Sequence, residues 1–392
     1  MTQAVLIDEL GHRTIRRATG YDPWLLGVSA TLLGLGLVMV ASSSMAIAHR
    51  NGLIDLYYFW RQLAAVLLGI GVGLTILQVP LSVFDRLSTG LFFAGVAFLA
   101  FILIPGVGHE VNGSMRWLQL GPITVQGSEP MKFAAVIYLS SYLVRHQGHV
   151  QTEFVGFIKP ICVMTVVAAL LLFEPDFGAA VVIFATTLGM LFLGRVPLVR
   201  FCAWGLVALA MLGTLAVQEP YRVKRLMTFT NPWTDPFDSG FQLTQALIAF
   251  GRGEWLGVGL GNGVQKLFYL PEVHTDFLFA VLAEELGMIG TLLVIGLFMF
   301  LVWRIIFIGS LAQRRGLDFG AYLSYGIAIL IGIEAFINIG VNMGLLPTKG
   351  LTLPLMSYGG TSMVIVCAML AMVLRVAKES HAAAVQGHLA ND

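Results

Sequence analysis

The stretch WLLGVSATLLGLGLVMVASSSMAIA, residues 24–48, decides the fold. Its 25 positions carry no charged side chain, and roughly 20 apolar residues in a helix are enough to cross a bilayer core. A signal-peptide core is shorter, about 7–15 residues. No small-residue cleavage site accompanies Arg13, Arg16 and Arg17 upstream. Residues 1–22 therefore read as a tail, and 24–48 as a span that stays in the chain.

Working outward, apolar runs recur near 57–79, 87–105, 129–145, 158–173, 177–194, 198–218, 276–304, 321–345 and 355–377. Apolar residues make up 57% of the 392-residue chain and charged residues 11%, against about 25% charged in a soluble domain. The expected fold class is an all-α polytopic membrane protein of about ten helices. Such a bundle is one domain over 1–392, with tails at 1–22 and 378–392 and a long loop at 219–275. A net charge of +1 points to no nucleic acid partner. Cys162, Cys202 and Cys367 lie in apolar runs without C-x-x-C spacing, so they read as small buried side chains.

Basic residues orient the bundle. Placing the N-terminus inside puts Arg13, Arg16, Arg17, Arg86, Arg145, Lys159, Arg195, Arg200, Arg304, Arg314, Arg315, Arg375 and Lys378 on the cytoplasmic side, as the positive-inside rule requires. Both termini are then cytoplasmic, and 219–275 is extracytoplasmic. Within that loop the apolar run 241–250 is too short to span and reads as an interfacial or re-entrant helix. The outer segment 106–128 carries a turn at Asn112-Gly113-Ser114 and the pair Arg116-Trp117, suited to a headgroup interface.

The densest polar cluster is Pro271-Glu272-Val273-His274-Thr275-Asp276, which runs straight into an apolar segment at the outer boundary. Thr275 or Asp276 is an obvious helix N-cap. A carboxylate held there beside the positive end of a helix also suits proton-transfer chemistry. Arg116, Lys132 and Lys349, with Arg61 near the outer end of its span, form a second set. Cations converging there would hold a diphosphate, and as single side chains they would be snorkelling interfacial residues. Glu129, Glu284, Glu285 and Glu334 lie within or beside apolar runs, where ionisable groups are functional candidates. Glu129 and Lys132 also form an i, i+3 pair. The glycines from Gly251 to Gly263 follow no parallel strand, so they do not form a dinucleotide fingerprint; His274 has no second ligand at metal spacing.

These residues resemble the SEDS family (shape, elongation, division and sporulation), over nearly the whole chain. The resemblance rests on Asn112-Gly113-Ser114-Met115-Arg116-Trp117, on 261–267, on 270–277 and on 346–354 running into Ser357-Tyr358-Gly359-Gly360. The Pro-Thr-Lys-Gly-Leu-Thr-Leu-Pro string at 347–354 is closer to the division branch than to the elongation branch. It implies ten helices in the bacterial cytoplasmic (inner) membrane at the division site, and a peptidoglycan glycosyltransferase that polymerises lipid II and releases undecaprenyl diphosphate. Asp276 is the catalytic aspartate it implies; Arg61, Arg116, Lys132, Lys349, Glu129, Glu272, His274 and Ser357 are the candidate residues for binding the diphosphate and sugars. The implied partners are lipid II, a class B penicillin-binding protein and other membrane proteins of the division complex. No residue pattern fixes a metal or cofactor; a divalent cation, Mg or Mn, is left open. The competing function for such a bundle is a flippase for the same lipid. The family's usual Gln-Pro-Ser/Ala-Glu appears here as Gln126-Gly127-Ser128-Glu129, and Phe268 stands where some relatives carry an acid.

Overall fold

The computed structural model describes residues 21–111, 114–121, 123–194, 196–218, 229, 231–236, 240–267, 270, 273–348 and 350–389. Helix α1 (Pro23–Arg50) starts at Asp22, whose Oδ1 accepts the Leu25 N–H at 2.8 Å. That carboxylate satisfies one orphan donor of the first turn, and Pro23 at the first position removes another. Then follow α2 (Tyr57–Ile76), α3 (Leu81–Ile102), α4 (Ser128–Arg145), the short α5 (Gln147–Thr152), α6 (Phe154–Phe173), α7 (Phe177–Leu193) and α8 (Leu198–Gln218). Beyond the long loop come α9 (Phe241–Gly253), α10 (Leu278–Arg314), α11 (Asp318–Asn342) and α12 (Gly360–Leu389).

Each of the ten expected spans falls on one of these helices. Among the described residues, seven helices are long and apolar enough to cross a membrane on their own, and α7 is a shorter apolar one. The outward faces carry Leu67, Leu68, Leu74, Phe93, Leu292, Leu293, Met299 and Phe336 exposed. An apolar surface on this scale is stable only against lipid. Helix α4 is the inverse case. It buries Ser128, Glu129, Lys132, Ser140 and Ser141 inside the bundle, so its polar residues find protein partners and its low hydropathy is no obstacle to a central position.

The helices alternate in direction. At one end Arg304 of α10 grips Asp22 before α1, with Nη2–Oδ2 at 2.6 Å and Nε–Oδ1 at 3.1 Å. At the same end Arg375 of α12 donates to Leu77 O just after α2 (2.8 Å), and Arg145 at the close of α4 donates to Asp85 O in the first turns of α3 (2.7 Å).

Three features depart from the sequence expectation. Residues 106–128 form more than an interfacial loop: β1 (His109–Val111), β2 (Ser114–Leu120) and β3 (Ile123–Gln126) make a small antiparallel sheet in that order, pairing Trp117 with Gln126 and Leu120 with Ile123. Cys162 and Cys202 are exposed and only Cys367 is buried, because apolar flanks in a membrane helix signal lipid as readily as core. Helix α10 is interrupted at Gly287, whose φ of 66° and ψ of −165° are not helical.

Candidate functional site

The segment before α10 is a turn rather than the start of a helix. Phe277 occupies the N-cap position, with no side-chain cap bond, so the expected capping by Thr275 or Asp276 is replaced by another arrangement. The Ala280 N–H is satisfied from across the bundle by Asn342 Oδ1 at 3.1 Å. The same Asn342 donates to Asp276 O at 2.9 Å, and Asn338, one helical turn earlier on α11, donates to Asp276 O at 3.0 Å. Asn338 also donates to Leu351 O at 2.5 Å. Two buried amides therefore fix the main chain of Asp276 while its side chain stays half-buried.

The carboxylate of Asp276 lies against Gly350: a Cβ built there would stand 3.0 Å from Asp276 Oδ2. A side chain there would press that oxygen aside by a few tenths of an ångström. Upstream, His274 O accepts the Tyr358 N–H at 2.9 Å. The His274 ring sits between Tyr58 and Tyr358, with centroids 4.8 and 5.3 Å away. Arg61, one turn further along α2, bonds Tyr57 Oη at 3.3 Å and lies 5.7 Å from that ring. Ser357 is buried, its Oγ accepting the Leu353 N–H at 3.0 Å. Gln62 spans the neighbouring backbone, donating to Ser357 O at 2.9 Å and accepting from Gly359 N at 3.2 Å.

The structure thus gathers Asp276, His274, Ser357 and Arg61 at one end of the bundle. Glu272 and Lys349 lie outside the described residues, although Lys349 adjoins Gly350. The other expected cations are engaged inside the protein. Lys132 is buried between Glu129, at 2.8 Å, and Glu334. Arg116, on β2, donates to Glu174 O at 3.1 Å and also to Pro175 O. Gly127 donates its N–H to Arg116 O at 3.4 Å, a bond that a proline at that position would lack.

Beside Arg116, Glu174 is fully buried, and neither carboxylate oxygen has a hydrogen-bond partner among the described residues. Burial, and then the charge of Asp176, push its carboxyl up to about 8, with Arg116 pulling the other way. Asp176 itself accepts from Ala179 N and Ser128 Oγ, both at 3.1 Å, and from Gln126 Nε2 at 3.2 Å.

Gln62, Asn338 and Asn342 were not singled out by the sequence reading. Uncharged amides inside apolar helices are a weak signal, yet in hydrocarbon they need partners as much as charges do. Glu284 and Glu285 have structural partners: Glu284 accepts from Val264 N and Gln265 N and pairs with Arg252 at 3.1 Å, and Glu285 pairs with Lys266 at 2.6 Å. Among the described residues no group of three or more His, Cys, Asp or Glu is placed to hold a metal ion.

Comparison with known proteins places this geometry. Residues 23–382 match the family model of cell cycle proteins that covers FtsW, RodA and SpoVE. The chain is 55% identical to the protein named probable peptidoglycan glycosyltransferase FtsW in Nitrosococcus halophilus, covering 92% of each chain. It is 52% identical to the protein of that name in Hahella chejuensis, over 91% of this chain and 90% of the other. A chain in a peptidoglycan synthase complex, solved to explain the coordination of polymerization and crosslinking, superposes with a TM-score of 0.76 at 29% identity, covering 92% of this chain and 98% of that one. The rod shape determining protein RodA of Thermus thermophilus superposes with a TM-score of 0.68 at 27% identity, covering 92% and 97%. The chain belongs to this family of polytopic cell cycle proteins.

Proposed function

We propose that the chain is a peptidoglycan glycosyltransferase that polymerises lipid II at the outer leaflet during cell division, with Asp276 as general base. The observation that carries the reading is the placement of Asp276: a half-buried carboxylate, its main chain held by Asn338 and Asn342, in a turn beside Gly350. The 4-hydroxyl of an acceptor GlcNAc attacks the anomeric carbon of a donor MurNAc, and a lipid diphosphate departs. A diphosphate is a good leaving group that needs charge stabilisation more than protonation, so one carboxylate taking the hydroxyl proton suffices. Glycoside hydrolysis differs, since there a second acid protonates the leaving oxygen.

We assign Arg61 and Lys349 to the diphosphate, and His274 and Glu272 to the sugars beside Asp276. Arg116, Lys132, Glu129 and Ser357 act behind them, through the backbone and ion-pair contacts already described. The chain works as one domain over 1–392 in the bacterial cytoplasmic (inner) membrane at the division site, with both termini cytoplasmic. A class B penicillin-binding protein is its partner, alongside other division-complex membrane proteins. The similarity to a chain from a peptidoglycan synthase complex supports that assignment.

The test is purified protein, with and without the class B partner, given labelled lipid II. Polymer supports the enzyme; leaflet transfer without polymer supports a flippase. Asp276→Asn keeps the shape but not the proton acceptor, and is expected to lower polymerisation by about 100-fold or more while thermal stability and partner binding stay near the parent's. A comparable rate in this variant removes Asp276 as base and turns the search to Glu272 and His274.

A further inference from the structure

The turn that carries Asp276 is suspended from two helices, through three amide side chains that take no part in the chemistry described above. On one side stands α11. Asn338 and Asn342, both buried, donate to Asp276 O at 3.0 and 2.9 Å. Asn342 is itself kept in place by the Ala280 N–H it accepts, and Asn338 ties the same point to Leu351 O, one residue from the Gly350 that faces the Asp276 carboxylate.

On the other side stands α2. Gln62 is buried in a helix of mostly apolar residues, where an amide with unmet bonds is costly. Both ends of that amide are used on one strap of main chain: Nε2 donates to Ser357 O at 2.9 Å and Oε1 accepts from Gly359 N at 3.2 Å. The residue between them, Tyr358, donates its N–H to His274 O at 2.9 Å and packs its ring against the His274 ring, 5.3 Å away. The chain of contacts therefore runs from Gln62 through 357–359 to His274, two residues before Asp276.

We propose that Gln62 is a positioning residue for glycosyl transfer: through the 357–359 strap it sets the backbone at His274, and with Asn338 and Asn342 fixing the carbonyl of Asp276 it aims the Asp276 carboxylate at the acceptor hydroxyl. The proposal rests on the assignment of Asp276 as base. Its physical basis is that a general base must lie within hydrogen-bond reach of the proton it takes, so an error of about 1 Å in its placement costs on the order of 100-fold in rate. A free turn at a helix start cannot hold that tolerance; one pinned at the carbonyls of residues 274 and 276 can.

The experiment measures polymerisation of labelled lipid II by the full chain with its class B partner, for Gln62→Met, Gln62→Glu, Asp276→Asn and the Gln62→Met/Asp276→Asn double variant. Gln62→Met keeps the length and removes both bonds. Gln62→Glu keeps the acceptor for Gly359 N and loses the donor. The expected result is a fall in kcat of about 10–100-fold for Gln62→Met, a smaller fall for Gln62→Glu, and KM for lipid II within about threefold of the parent. Because Gln62 acts through Asp276, the double variant should be no slower than Asp276→Asn alone.

Parent-like kcat in Gln62→Met overturns the proposal, as does a further loss in the double variant that matches the loss in the single one. An active Asp276→Asn overturns the base assignment first, and this proposal with it, so the two failures are told apart. Should Gln62→Met fail to give a cooperative thermal transition, Gln62→Glu carries the same comparison, and parent-like kcat there, with the donor to Ser357 O gone, overturns the proposal equally.

Discussion

Glu174 shows how one side chain sets a condition on the whole site. It is buried in the turn between α6 and α7, next to Asp176 and beneath the Arg116 guanidinium, which spends its hydrogen bonds on main-chain carbonyls instead of on the carboxylate. The carboxyl titrates near 4.5 when exposed and is pushed up to about 8 in the fold. Between those values the folded state holds a proton that the unfolded state has lost, so this contribution to stability is complete below about 4.5 and disappears as pH climbs through about 8. Glu174→Gln mimics the neutral acid at every pH. The variant should match the parent in thermal midpoint at pH 4 and exceed it at pH 9, and detergent-solubilised unfolding across that range checks it; parallel curves for the two proteins would refute a buried neutral acid. The sequence marks the 174–176 turn by its proline and two acids, but not the burial of Glu174, which depends on β2 and Arg116 folding over it. The same limit applies elsewhere in the site. Asp276 and His274 stand out in sequence because charges crowd against an apolar run, whereas Gln62, Asn338 and Asn342 are legible only once three helices meet.

At the scale of elements, the helices were the easiest part to read, because each must present an apolar length to lipid. What the pattern concealed is the break inside the longest of them. At Gly287, α10 leaves helical geometry, and the glycine-rich loop after α9 fills the gap: Val258 N donates to Glu284 O at 3.0 Å, Gly259 N to Glu285 O at 3.1 Å, and Met288 N to Glu254 O at 2.9 Å. Non-helical backbone at such depth is tolerated only when protein supplies the missing bonds. The buried pair Glu285–Lys266 then locks loop to helix, and the exposed Arg252, in the last turn of α9, pairs with the buried Glu284. In the fold those glycines, which follow no parallel strand, are a splint. A Cβ at position 287 would stand 2.3 Å from Gly257 N, on a φ of 66° that side chains rarely adopt. Gly287→Ala should therefore destabilise by about 2–4 kcal/mol, read as a lower thermal midpoint and as faster proteolysis within 254–266. An unchanged midpoint would mean that the splint bears no strain. The sheet at 109–126 escaped the sequence reading for a related reason. Three strands of three to seven residues leave no periodic signal strong enough to compete with a loop reading.

For the whole molecule, the question that remains physical is which end faces the cytoplasm. The alternating helices place Arg86, Arg145, Arg304, Arg314, Arg315, Arg375 and Lys378 toward one end, with Asp22, Asp85 and Glu379 as partners of three of them. Asp276, the sheet, Gln62 and the 357–359 strap lie toward the other. Retention of Lys and Arg on the cytoplasmic side is what orients a multispanning chain during insertion. The basic end is therefore expected inside, and the Asp276 end outside, where a lipid-linked sugar already carried across the membrane presents its headgroup. The prediction is read with a membrane-impermeant maleimide on intact cells, after Cys162, Cys202 and Cys367 have been replaced. Asp235→Cys, in the loop between α8 and α9, should label without permeabilisation. Arg314→Cys, exposed at the end of α10, should label only after the membrane is opened. If the two positions exchange behaviour, the proposed base faces the cytoplasm, and polymerisation at the outer leaflet by this chain is excluded whatever the rates of its variants.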